Sequence, residues 1–157
     1  MSQITIRPAT PDDSALLAAL IHALATFVSD ECVITREAVA EHFFGPHPAA
    51  EALIGEVDGK PEGFAVFFPT FSTFLGRPSV YLEDLFVNPE ARGHGLGLAL
   101  LRGLAQLALE RGYCRLDWAV LDWNTRAAEF YKRLGAEAIE EYNIYRMTEE
   151  TLARLVS

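Results

Sequence analysis

Apolar and polar positions alternate from the start of the chain: ITIRPA, residues 4–9, has period two and predicts a strand. TPDD then opens a helix over residues 11–27, with Thr10 as N-cap, Pro11 at the first helical position and an acid three residues after the cap. SDECVIT is a loop, and a short second helix runs from Thr35 to about residue 43, where GPHP stops it. Two strands, about 52–57 and 64–71, flank DGKPEG, in which Asp58-Gly59 is a strong hairpin signal. STFLGRPS turns the chain into a further strand over 80–87. A glycine-rich stretch, NPEARGHGLG, separates that strand from a leucine-rich helix that ends near Arg111 and is capped by Gly112. CRLDWAVL (114–121) reads as a strand, and NTRAAEFYKRLG as a helix with Asn124 as N-cap and Gly135 just past its end. Residues 137–148 predict a last pair of strands or one bent strand, and TEETLARL a terminal helical turn or two.

This order, β-α-α-β-β-β-α-β-α-β, is an α/β arrangement in which two strands flank a crossover helix and antiparallel hairpins lie elsewhere. A chain of 157 residues, 50% hydrophobic and 22% charged, fits one domain over 1–157. It can bury roughly 70% of its unfolded surface, so no disulfide or metal is needed for folding. Cys32 and Cys114 are far apart and match no metal-ligand spacing, so they read as buried thiols in a reducing cytosol and no metal is expected. Only Arg7 is basic before the apolar run 15–28, and Asp12 and Asp13 precede that run, the reverse of a secretory signal. His22 interrupts it and it is too short to span a bilayer, so a cytoplasmic protein without a membrane partner is expected. A net charge of −9, from 22 acids against 13 basic residues, argues against nucleic acid and is compatible with a cationic small molecule.

The glycines follow a strand and precede a helix, so they stand where unsatisfied N–H groups and the positive end of the macrodipole make an anion site. Glycine also lets backbone approach a phosphate closely. A nucleoside triphosphate loop needs Gly-Lys-Ser/Thr, but Leu98 and Ala99 follow Gly97. A dinucleotide fingerprint fails in both frames, because Leu98 or Leu100 occupies the third glycine position. What remains is Arg92-x-x-Gly95-x-Gly97, which resembles the pyrophosphate loop of the GNAT superfamily of acetyl-CoA-dependent acyltransferases. IRPATPDD resembles that family's first strand and helix cap. YLEDLFV, AVLDWN and FYKRLGA are similar to the spermidine/spermine and thialysine N-acetyltransferases, in the same order and at similar spacing.

The resemblance implies a GNAT acyltransferase fold, a mixed central sheet with a splayed strand pair and flanking helices, and a homodimer. It implies acetyl-CoA as donor, held by the backbone of Leu85, Phe86 and Val87, by the loop residues Arg92, Gly93, His94, Gly95, Leu96, Gly97 and Leu98, and by Asn124, Ala127 and Tyr131. For Asn124 capping alone is the competing role. The N–H groups freed at the splay can polarise the thioester carbonyl, since Leu85, Phe86 and Val87 offer no polar side chain.

A lysine-like amine has a pKa of about 10.4, so becoming neutral at pH 7 costs roughly 4.6 kcal/mol. Glu83 and Asp84 lie in an otherwise apolar strand, where an unpaired carboxylate is costly; both could simply be ion-paired or at a strand edge. Glu83 matches the family's acidic position and is expected to order a water that accepts the proton and to attract the ammonium. Asp84, on the opposite face of a regular strand, is expected to support it. Tyr131 lies on the stripe Ala127, Phe130, Tyr131, Leu134 and by pattern alone reads as a core tyrosine. Within FYKRLGA it matches the family's proton donor to the departing thiolate.

The turn before YLED carries an acid and a tryptophan in the spermidine/spermine group, but Thr73 and Phe74 here. Neither neutralises a second ammonium, and STFLG with AVLDWN resembles the thialysine branch. The acceptor is therefore expected to be a small primary amine such as thialysine or a lysine-like amino acid, with a diamine or polyamine as the alternative. Phe27, Thr73, Phe74, Glu83, Asp84, Ala119, Glu140 and Tyr142 are assigned to its pocket. A non-catalytic acetyl-CoA-binding module and a protein-modifying acetyltransferase are the other classes.

Overall fold

A computed structural model describes all residues, Met1–Ser157, and its contacts divide the chain into two compact units, Met1–Ala119 and Val120–Ser157. The first contains β1 (Ile4–Pro8), α1 (Ser14–Phe27), α2 (Arg36–Phe44), β2 (Glu51–Val57), β3 (Lys60–Ser72), β4 (Arg77–Val87), α3 (Leu96–Glu110) and β5 (Leu116–Trp118). The strands form one sheet in the order β1-β2-β3-β4-β5, antiparallel except for the parallel pair β4–β5. This is the mixed sheet that the pattern predicts, with α3 as the crossover.

Local chemistry sets the boundaries. Pro11–Asp13 form a single 3-10 turn ahead of α1, and Thr10 and Asp13 complete a reciprocal capping box. Asp13 also receives two bonds from the Arg7 guanidinium, at 2.7 and 3.0 Å, which tie the helix start to β1. The Thr35 hydroxyl accepts the Ala38 N–H and starts α2. One face of the sheet presents Ala52, Ile54, Phe64, Val66 and Phe86 to Leu17, Leu20 and Val39 of the first two helices. On the other face lies α3, whose Leu96 fits against Gly55; a Cβ there would stand 2.8 Å from Leu96 Cδ1. The buried stripe of α3 is Leu96, Leu100, Leu101, Leu104 and Ala108. Leu98 and Ala105, which helical spacing places on the same stripe as Leu101 and Ala108, are not buried, because the helix begins at Leu96 and that side chain sets the phase.

The second unit contains α4 (Thr125–Arg133) and α5 (Glu149–Val156), capped by the side chains of Asn124 and Thr148. Residues 137–148 form no strand, contrary to expectation. Apart from a turn at Glu140 and Glu141 they are irregular and pair with no strand of the sheet, and a strand exists only through such pairing. No residue of this unit is buried, and Ile139, Tyr142, Ile144, Tyr145 and Met147 are exposed. No helix of the chain is long and apolar enough to cross a membrane.

Candidate active site

The pairing of β3 with β4 slips by one residue in mid-strand. Leu82 stands opposite Phe67 and Asp84 opposite Val66, which leaves Glu83 as the extra residue of a β-bulge. Because Phe67 and Val66 point to opposite faces, so do Leu82 and Asp84, and Glu83 and Asp84 therefore share the face of Val66 and Phe86. The expectation that Asp84 points away from Glu83 is corrected by this bulge. Glu83 is exposed, while Asp84 is half-buried and has no hydrogen bond or ion pair in the protein. Burial first, and the neighbouring Glu83 charge second, push the Asp84 pKa up to about 6.

The same bulge ends the pairing of β4 with β5. Only residues 80–82 of β4 pair with β5, whereas β4 continues to Val87. The predicted strand 114–121 is thus reduced to Leu116–Trp118. Residues 83–87, including Leu85, Phe86 and Val87, have β3 on one side and an open edge on the other. This is the splayed strand pair.

Beyond Val87 the chain is anchored before it becomes a loop. Asn88 donates its backbone N–H to the Glu62 carbonyl and its side-chain amide to the Glu62 carboxylate, at 2.8 and 2.9 Å. Lys60 completes that network at 2.7 Å, and together with Asn88 it holds the Glu62 pKa below the usual carboxylate range. Arg92 turns its Nε–H back to the Val87 carbonyl at 3.0 Å, and its guanidinium lies over the rings of Phe27 and Phe86. Gly93 and Gly95 have φ of 88° and 83°, the left-handed region that glycine enters without strain. Gly95 is the N-cap of α3.

From residue 93 to 98, six consecutive N–H groups bond to no acceptor in the protein; the first helical bond is that of the Ala99 N–H to the Gly95 carbonyl. A Cβ on Gly93 or Gly95 would meet nothing within 4 Å, and one on Gly97 only Val87 Cγ2 at 3.8 Å. A row of donors at a helix N-terminus with an unobstructed outer side fits the pyrophosphate of a coenzyme A ester. The open β4 edge beside it offers backbone groups to an amide-bearing chain.

In the second unit, Asn124 Oδ1 accepts the Ala127 N–H at 3.2 Å, which leaves the side-chain NH₂ of Asn124 without a protein partner. Tyr131 is half-buried in α4, its ring 5.4 Å from that of Phe130, and burial raises its pKa, so the phenol is protonated at neutral pH.

Against known proteins, the model of the acetyltransferase (GNAT) family matches residues 16–136. The chain belongs to the GNAT family of acetyltransferases. Its activity is N-acetyl transfer, and family members use acetyl-CoA. It is 35% identical to the thialysine N-epsilon-acetyltransferase of Bos taurus over 99% of this chain and 98% of that one. It is 38% identical to an L-ornithine N5-acetyltransferase of Arabidopsis thaliana over 57% of this chain and 40% of that one. A solved integron cassette protein from the mobile metagenome of V. cholerae superposes with a TM-score of 0.83 at 27% identity, covering 98% and 97% of the two chains.

Within this GNAT chain the structure brings together Glu83, Asp84, Phe86, Arg92 and Phe27, around the end of β4 and of α1. It does not bring Thr73 and Phe74 to them. Both are exposed in the turn joining Ser72 to Arg77, and Glu83 lies six residue steps along the strand from Arg77, roughly 20 Å. Ala119 is exposed just after β5, His94 is an exposed loop residue, and Glu140 and Tyr142 are exposed in the second unit. The Glu62–Asn88 anchor was missed by pattern reading. Its one signal was an acid that breaks an otherwise apolar strand after the hairpin.

Proposed function

We propose that the chain is an acetyl-CoA-dependent N-acetyltransferase for a small primary amine, thialysine or a lysine-like amino acid. The observation that carries the donor assignment is the row of six free N–H groups directly after the splayed end of β4. The acceptor class is supported by relatives named for thialysine along nearly their whole length, and by Thr73 and Phe74 in the turn before β4. The family match runs across Ala119, which supports reading both units as one acetyltransferase domain.

In this reading residues 93–98 hold the pyrophosphate by backbone donors, with Arg92 fixing the loop to β4, and Asn124 and Ala127 contributing from α4. Acetyl-CoA supplies a thioester carbonyl that exchanges its C–S bond for a C–N bond. Backbone groups at Leu85, Phe86 and Val87 polarise that carbonyl. The Glu83–Asp84 pair attracts the ammonium, and Glu83 orders the water through which its proton leaves. Tyr131 donates a proton to the departing sulfur; a phenol held protonated by burial has that proton to give. On the acceptor side of the first unit Phe27 stands beside Phe86 on the face of the acid pair, while Thr73 and Phe74 lie apart from it at the far end of the β3–β4 hairpin. The protein acts as a homodimer in the cytoplasm, supported by the exposed apolar segment 137–148 and by two free cysteines. A net charge of −9 suits a cationic acceptor and no nucleic acid.

The test is incubation with acetyl-CoA and a panel of lysine, thialysine, ornithine, diamines and polyamines, with products identified by mass. Acetylation of the distal amine of the amino acids is expected. Transfer to polyamines alone would replace the acceptor class, and turnover of none would leave a binding module.

A further inference from the structure

Both ends of the glycine loop rest on the same two residues of β3. At its root, the Asn88 N–H donates to the Glu62 carbonyl at 2.8 Å, one rung beyond the last strand pair, Gly63 with Val87. At its far end, Leu96 opens α3 and lies against Gly63, where a Cβ would stand 3.3 Å from Leu96 Cδ2 and 2.7 Å from the Phe86 carbonyl oxygen. Between these points runs one 3-10 turn, Pro89–Ala91, with the Ala91 N–H donating to the Asn88 carbonyl at 2.9 Å. Asn88 therefore sets where the turn begins and, through it, where the N–H groups of residues 93–98 point.

The side chain that holds Asn88 is costly to bury. Glu62 is only 8% exposed, with one carboxylate oxygen 2.7 Å from Lys60 Nζ and the other accepting the Asn88 side-chain amide at 2.9 Å. A buried carboxylate, even when paired, is often no more stabilising than an apolar side chain of the same volume, because desolvation offsets the attraction. An apolar side chain, however, cannot accept from Asn88. The carboxylate fixes that amide, and with it the loop root, in one orientation.

Building on the acetyl-CoA reading of the loop, we propose that Glu62 is a positioning residue for the donor: through its hydrogen bond to Asn88 it holds the row of backbone donors in the orientation that a coenzyme A pyrophosphate requires. In this role Glu62 touches neither donor nor acceptor. It governs how tightly acetyl-CoA is held and not the step at the thioester, because residues 85–87 are kept in place by their own pairing with β3.

The pair consists of one donor and one acceptor, so it can be inverted. Asn88→Asp sets a second carboxylate against Glu62 and removes the bond. Adding Glu62→Gln restores it in the reverse direction, the new amide donating to the new carboxylate while its carbonyl accepts from Lys60, and the net charge stays at −9.

The experiment measures acetyl-CoA affinity by calorimetry, the melting temperature, and the amide NMR shifts of Gly93, Gly95 and Gly97 for wild type, both single variants and the double variant. Asn88→Asp is expected to weaken acetyl-CoA about tenfold or more and to displace the three glycine amides. Glu62→Gln alone, whose carbonyl still accepts from Asn88, and the double variant are each expected to stay within about threefold of wild type. In turnover with a small primary amine, Asn88→Asp should raise the KM for acetyl-CoA while kcat is kept. It should leave the KM for S-acetylpantetheine, a donor without the pyrophosphate, unchanged, whereas a general loosening of the fold would raise both. Unchanged acetyl-CoA affinity in Asn88→Asp overturns the inference, as does a double variant no better than Asn88→Asp or an equal loss with S-acetylpantetheine. Should Asn88→Asp not fold, Asn88→Ala, which removes the amide without adding charge, takes its place in the affinity and KM comparisons. Failure of wild type to bind acetyl-CoA would remove the reading of the loop, while the glycine amide shifts of the ligand-free variants still decide whether Glu62 sets its geometry; unmoved shifts in Asn88→Asp would show that it does not.

Discussion

The Arg92 guanidinium lies 4.3 Å from the centre of the Phe27 ring at the end of α1, while its Nε–H bonds the Val87 carbonyl at the end of β4. One side chain thus joins the glycine loop to the helix that covers the acid-bearing face. A double-mutant cycle with Phe27→Ala and Arg92→Ala should show a coupling of about 0.5–1 kcal/mol in unfolding free energy. Strictly additive effects would show that the stacking contributes nothing.

Gly95 and Gly97 serve different purposes. Gly95 is left-handed, so Gly95→Ala should destabilise the fold by about 1–2 kcal/mol. Gly97 lies in the first turn of α3 with no positive φ and no near neighbour, so Gly97→Ala should leave the melting temperature unchanged or slightly raised. It should nevertheless weaken acetyl-CoA about tenfold or more, equivalent to about 1.4 kcal/mol. Calorimetric titration checks this; unchanged affinity would remove the close approach of backbone to pyrophosphate.

At the start of α1, the Arg7 hydrogen bonds hold the Asp13 pKa down at about 2, against an ordinary 3.8. A depressed acid stabilises the fold above the unfolded value and loses that effect as pH falls through the folded one. Asp13→Asn should cost about 1.5–3 kcal/mol at pH 7, and its stability should fall less steeply than that of wild type between pH 4 and 2. Urea unfolding at several pH values reads both slopes. Parallel curves would show that Arg7 and Asp13 do not act as a pair.

Residues 137–148 carry Ile139, Tyr142, Ile144, Tyr145 and Met147 exposed on a segment that pairs with no strand of the sheet. Analytical ultracentrifugation should give twice the mass of one chain, and a double substitution Ile144→Glu with Tyr145→Lys should shift it toward one. A wild-type monomer would count against the homodimer.

Much of the fold was legible because its signals are local. Thr10, Thr35, Asn124 and Thr148 cap helices where polar residues precede apolar runs, and Asp58-Gly59 turns the β2–β3 hairpin. The glycine loop was legible for the same reason, since its geometry follows from its own residues. The facing of Asp84 was not. It depends on a one-residue slip against β3, and alternation within β4 alone points it the other way. The short β5 and the unpaired 137–148 were hidden likewise, because pairing is a property of the neighbouring strand as much as of the sequence that is read.

In the proposed acetyl transfer the Glu83–Asp84 pair serves the incoming amine and Tyr131 the departing sulfur. Initial rates from acetyl-CoA to a lysine-like amino acid, measured together for wild type, Glu83→Gln and Tyr131→Phe, test it most directly. Wild type should turn over and each variant should fall in kcat by about a hundredfold or more, with Tyr131→Phe losing the donor of the thiol proton. Unchanged transfer in both variants, or none by wild type, would contradict it.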